Sequence, residues 1–103
     1  MVLVEFAMFP TDKGESVSAY VSQIIDIIDR SGLQYKLTPM GTIIEGSFDQ
    51  VMSVIGDCFK KLEPQCGRIY STIKIDYRTG ENSRMKSKTE KIEKLLDRNI
   101  QRT

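Results

Sequence analysis

Twice along this chain a stretch of alternating apolar residues gives way to an apolar stripe at helical spacing and then returns to alternation. That double switch of period limits the fold more than any other feature of the sequence. The first stretch, "MVLVEFAMF", sets Val2, Val4, Phe6 and Met8 against Leu3, Glu5 and Ala7, the pattern of a strand with one buried face, and Pro10 ends it. The loop "PTDKGE" leads to Ser16, an expected N-cap, and to Val17, Tyr20, Val21, Ile24, Ile25 and Ile28 on one helical face, with Gly32 as the stop. "LQYKL" and "GTIIEG" then alternate as a hairpin around Pro39, Met40 and Gly41. Ser47 and Gln50 have capping-box spacing ahead of a helix that aligns Val51, Met52, Ile55, Cys58, Phe59 and Leu62, with Lys60 and Lys61 at its negative end. After Pro64 and Gly67, "RIYSTIKIDY" alternates Ile69, Ser71, Ile73 and Ile75 with Tyr70, Thr72, Lys74 and Asp76. Beyond the turn "RTGEN", Met85, Thr89, Ile92, Leu95, Leu96 and Ile100 form a thin stripe on an otherwise charged helix expected over about 84–100.

The order strand, helix, strand, strand, helix, strand predicts an α+β chain. It is the βαββαβ sandwich of a ferredoxin-like fold, with an antiparallel sheet in the order 4-1-3-2 and an added C-terminal helix. Residues 1–103 read as one domain, since a chain of roughly this length buries well over half of its unfolded surface without disulfide or metal. The first two helices cover one sheet face. The other is expected to carry Leu3, Glu5, Ala7, Ile43, Glu45, Tyr70, Thr72, Lys74 and Asp76, a mixture that suits self-association through the face or a strand edge. The competing reading is a solvated face, with Glu45 in a salt bridge to Lys74 or to a subunit neighbour. The polar C-terminal helix is expected to dock across a subunit interface.

Composition removes several classes of function. Fifteen Lys and Arg against 14 Asp and Glu leave a charge of +1, which gives no field drawing the chain to nucleic acid or anionic lipid. No apolar run approaches the roughly 20 residues of a membrane span, so a cytoplasmic protein without a membrane partner is expected. Cys58 and Cys66 lack metal-ligand spacing and there is no histidine, so both read as free thiols, with no metal and no cofactor. Catalysis without histidine would fall to carboxylates, lysines or tyrosines, and none forms a recognisable dyad. Acylphosphatase, of the same fold type, holds phosphate with an arginine in the loop after its first strand, and "PTDKGES" has none. RNA recognition on this topology needs exposed aromatics on the central strands, whereas the third strand has none and Glu5 and Glu45 occupy the open face. "TDKGES", with Lys13, is a weak candidate anion site at a helix start; a solvated loop is the better reading.

Strand parity points to a site. The first strand ends where the third and fourth begin. If Ile44 and Ile73 face the helices, so do Thr42 and Ser71, beside Met8 and near the start of the first helix at Ser16, Ser18 and Tyr20. An unpartnered buried hydroxyl costs roughly 1–3 kcal/mol, so each needs either a ligand or neighbouring backbone. The candidate ligand-binding residues are Met8, Ser18, Met40, Gly41, Thr42 and Ser71.

The segments "FP", "GESVSAYV", "LTPMGTIIEG" and "STIKIDYR", in that order and at these spacings, resemble the thiamine-binding-protein family over nearly the whole chain, most specifically in "TPMGTIIEG". The resemblance implies a ferredoxin-like domain without enzymatic activity, assembled as dimers or tetramers in the cytoplasm, some of whose members bind thiamine or its hydroxymethylpyrimidine part. The expectation is thus a non-enzymatic small-molecule-binding homo-oligomer, a tetramer built as a dimer of dimers. The alternative is an oligomeric regulatory or interaction module that senses a different small metabolite. An aminopyrimidine would lie flat between Met8 and the helix, with its nitrogens on Thr42 and Ser71. The cationic thiazolium would turn to Glu45 only if the site reached the open face. Where many members carry a "PLG" turn after the first strand this chain has "PTDKG", which would alter ligand choice if that loop rims the pocket.

Overall fold

In the computed structural model, which describes residues 1–80, 83, 85 and 87–101, the first strand is the spine of the sheet. β1 (Val2–Pro10) is followed by α1 (Ser18–Arg30), β2 (Gln34–Thr38), β3 (Gly41–Gly46), α2 (Phe48–Leu62), β4 (Ile69–Tyr77) and α3 (Ser87–Leu96), with a 3₁₀ turn at Glu63–Gln65. The sheet order β2-β3-β1-β4 is the expected 4-1-3-2 read from the other edge, and every pairing is antiparallel. β1 pairs on both sides, Val4 with Ile44 and Ile75, Phe6 with Thr42 and Ile73. Paired residues share a face, so Val2, Val4, Phe6 and Met8 carry their β3 and β4 partners toward the helices. The core forms there: Val4, Ile28, Ile44, Val51, Cys58 and Leu62 are completely buried.

Local chemistry explains the helix ends. Gln50 N donates to Ser47 Oγ and Ser47 N to Gln50 Oε1, each at 3.2 Å, which is the expected capping box at the head of α2. α1 differs from expectation: its N-cap is Val17, not Ser16, and no side chain caps it. Its end is firmer, because Ser31 N donates to Ile27 O and Ile28 O while Gly32 turns the chain at φ +79°. α3 is shorter than the expected 84–100. Asp97, at φ 55°, breaks it after Leu96, and Ile100 N donates to Glu93 Oε2 at 2.8 Å. Residue 84 lies outside the described residues, and Met85 stands in a turn before the helix.

Two further expectations are corrected. Ile73 and Ile75 face the helix side but stay about half exposed, because α1 and α2 pack on β1 and β3 and neither extends over β4. On the opposite face, Lys74 pairs with Glu5 at 3.4 Å, not with Glu45. Both partners of that pair are largely exposed, which limits it to a few tenths of a kcal/mol. Glu45 is only 2% exposed: it accepts a hydrogen bond from Ser83 Oγ, which also lies 3.4 Å from Gln34 Oε1. Ser83 therefore stands on the open face, at β3 and β2.

Removing the cap of α2 through Ser47→Ala should lower the unfolding free energy by about 1 kcal/mol in a urea titration, with an unchanged denaturant slope. Both cysteines are free, and burial, with the charge of Asp57, pushes the Cys58 thiol up to about 11. Its folded value lies above the unfolded one, so the associated stability is present below about pH 9 and is lost as pH rises toward about 11. A thiol reagent at pH 8 should modify partly exposed Cys66 and reach Cys58 only on unfolding.

Candidate functional site

Where β1 ends, the β2–β3 hairpin and α1 leave a cavity of about 280 Å³ between them. Met8 and Phe9 come from the end of β1, Val21, Ile24 and Ile25 from α1, and Leu37 to Thr42 from the hairpin. The walls are apolar and include no charged side chain. Such a lining selects a flat, largely uncharged molecule, held in register by the few polar groups aimed at it.

The hairpin supplies those groups. Pro39 and Met40 make a two-residue connection between the paired Thr38 and Gly41. Thr38 braces it from inside, since its Oγ1 donates to Gly41 O at 2.9 Å and accepts from Met40 N at 3.2 Å. Gly41 is required where it stands: φ is +156°, and a Cβ there would meet the Phe6 carbonyl oxygen at 2.9 Å. With Gly41 pressed on β1, the next residue must pair with Phe6 on one side and Leu37 on the other, so Thr42 turns toward the helices. Thr42 is 3% exposed. Its hydroxyl has no hydrogen-bond partner among the described residues, yet no fully buried polar side-chain atom among them is unsatisfied, so the hydroxyl opens onto the cavity. Met40 stands at the tip, 87% exposed, and walls the cavity without packing in the core.

Four of the six residues singled out in the sequence, Met8, Met40, Gly41 and Thr42, line this cavity. Ser18 and Ser71 do not. Ser18 is the exposed first residue of α1. Ser71 shares the face of Thr42 but lies on β4, two strand spacings from β3, or about 10 Å. Its Oγ donates to Ala7 O at 2.9 Å, the backbone partner that was the alternative to a ligand. The "PTDKG" loop is likewise not part of the wall: Asp12 Oδ2 accepts from Gly67 N at 2.7 Å and Thr11 N donates to Arg68 O, tying the loop to the start of β4. This commits a carboxylate to the loop and argues against an anion site there. Val21, Ile24, Ile25 and Leu37 read as core positions in the sequence; nothing in their spacing separates a residue facing a cavity from one facing its neighbour. Among the described residues no group of three or more His, Cys, Asp or Glu could hold a metal, and no helix is long and apolar enough to cross a membrane.

Comparison with known proteins gives a consistent result. The family model described as thiamine-binding protein matches residues 4–93. The UPF0045 protein Mb1933 of Mycobacterium bovis is 33% identical over 96 residues, covering 92% of this chain and 94% of its own length. The UPF0045 protein MJ1052 of Methanocaldococcus jannaschii is 29% identical over 94 residues, covering 91% of this chain and 94% of its own. A crystal structure of MJ1052 superposes with a TM-score of 0.81 at 28% identity, covering 88% of this chain and 94% of that one. TM0486 of Thermotoga maritima, named as a candidate thiamine biosynthesis or salvage protein, shares the fold with a TM-score of 0.77 at 24% identity, covering 88% of this chain and 97% of that one.

Substituting Gly41→Ala forces a Cβ against the Phe6 carbonyl and should cost about 1–3 kcal/mol, read as a fall in melting temperature of several degrees. Met40→Ala, at an exposed tip, should leave the melting temperature within about 3 degrees of the parent, since surface changes stay within about 0.5 kcal/mol.

Proposed function

Because the chain belongs to the thiamine-binding protein family, we propose that it is a non-enzymatic small-molecule-binding protein whose cavity beside the β2–β3 hairpin takes thiamine or its hydroxymethylpyrimidine part. The observation that carries the reading is the open hydroxyl of Thr42 in an otherwise apolar, uncharged cavity. A pyrimidine ring is flat and neutral and needs one or two aimed hydrogen bonds, and the Thr42 hydroxyl can donate to a ring nitrogen or accept from an amino group. The thiazolium half is cationic and finds no carboxylate in the cavity wall, so it points to the mouth. A diphosphate finds no cation there either. Glu45 is not its partner, because that carboxylate lies on the other face of the sheet and is engaged by Ser83.

The protein works as a cytoplasmic homo-oligomer. Support comes from the open face, where apolar Leu3, Ala7 and Ile43 stand among Glu5, Lys74 and Asp76, charges of both signs that a second copy can match. A dimer of dimers follows if the open face and a sheet edge both associate. One observation favours the second reading, a regulatory module for a different metabolite. With Ser71 bonded to Ala7, a single open side-chain hydroxyl remains to define the ligand, and other flat heterocycles satisfy that condition.

Calorimetry with hydroxymethylpyrimidine, thiamine and thiamine diphosphate tests the assignment. Saturable heat at one ligand per chain is expected for the first two, with no gain from the diphosphate. Thr42→Val should weaken binding roughly tenfold, the worth of one hydrogen bond, while Ser71→Ala leaves the affinity unchanged. Absence of heat with all three ligands at high micromolar protein would sink the thiamine assignment and leave the regulatory reading.

A further inference from the structure

Two apolar surfaces remain uncovered that belong neither to the cavity nor to the open face. One is the helix side of β4, where Ile73, Ile75 and Tyr77 are exposed at successive same-face positions. The flank of α2 continues it. Val54 and Cys58 mark the side of α2 turned to α1, since Cys58 Sγ lies 3.9 Å from Ile24 O. Phe48, Met52 and Phe59 lie about 120° further round the helix, toward β4, and both phenylalanines are exposed. Together they border a groove open to solvent. The other surface is α3, whose Ile92, Leu95 and Leu96 are exposed, Leu95 to 80%. Among the described residues, α3 packs substantially against no other element. The chain is correspondingly extended: its radius of gyration is 15.2 Å, against about 13 Å for a compact domain of 100 residues.

The two surfaces match in size. A helix of ten residues is about 15 Å long, and the strip from Ile73 to Tyr77 about 13 Å. They do not meet within one chain, and the tether explains why. Ser83 is bonded at Glu45 of β3, close to Gln34 of β2, on the open face. The four residue steps from Ser83 to Ser87 reach at most about 14 Å. The path from that point round the β4 edge to the far side of the sheet is roughly 30 Å, given strand spacing and layer depth. α3 therefore cannot lie along its own groove.

We propose that α3 of one copy packs its Ile92, Leu95 and Leu96 stripe into the groove between α2 and β4 of a second copy. The exchange is an amphipathic helix in a groove, with both halves supplied by the same chain in equal number. It leaves the ligand cavity untouched, so binding and exchange are measured independently.

The test uses two differently tagged full-length chains, both carrying Cys66→Ser, one with Ile75→Cys and the other with Ile92→Cys. Ile75 and Ile92 are exposed, Cys66 is partly exposed, and Cys58 is buried out of reach. Mixed and mildly oxidised, the folded chains should give a disulfide between the two tags on a non-reducing gel, and Leu95→Glu in the Ile92→Cys chain should abolish it. No disulfide between the tags, one that survives Leu95→Glu, or a wild-type chain that scatters light as a monomer would overturn the exchange.

Discussion

Every assignment of inside and outside in this protein depends on the register of β1, because β1 is the strand that joins β4 to the β2–β3 hairpin. Setting Phe6 opposite Thr42 and Ile73 places three strands in phase at once, and a slip by one residue on the β3 side would reverse that strand. Thr42 would turn out and Glu45 into the core, where a carboxylate without partners costs several kcal/mol. Gly41 holds the register from the hairpin side. Its bare Cα sits so close to the Phe6 carbonyl that no other residue fits without movement. The core residues of β1 and the open hydroxyl of β3 are thus two results of one alignment.

The sheet is covered unevenly, and the unevenness divides the molecule by task. Over β1 and β3, α1 and α2 complete the apolar core. Toward β4 the helices stop short, and Ile73, Ile75 and Tyr77 are left at the surface. On the other face, Glu45 is buried with a hydroxyl donor from a segment nearly forty residues later in sequence. That carboxylate holds Ser83 against the open face. A carboxylate satisfied in this way is also costly to uncover, which keeps Ser83 in place.

Element order, sheet order and the α2 capping box were legible in the sequence because each depends on local chemistry or on period. So was the inward turn of Thr42, which follows from parity once the hairpin closes at Pro39 and Met40. Parity is silent about lateral distance, and Ser71, on the right face, falls on the wrong side of β1 to reach the cavity. It is equally silent about how far a helix extends over an edge strand, so Ile73 and Ile75 looked like core. Ser16 lost the capping position by one residue to Val17, and the loop before it is anchored at Thr11 and Asp12 to Arg68 and Gly67. Those anchors are 55 or more residues away in sequence, beyond any local pattern.

The tip of the hairpin separates two demands that most residues of a small domain must meet together. Met40 forms part of the cavity wall but supports none of the core, and Gly41 and Thr38 hold the turn whatever side chain stands at that position. A pocket built this way can be retuned without being refolded: lengthening, shortening or charging one tip side chain alters what the cavity admits and leaves the sheet intact. Selectivity within such an architecture is free to diverge faster than the scaffold that displays it.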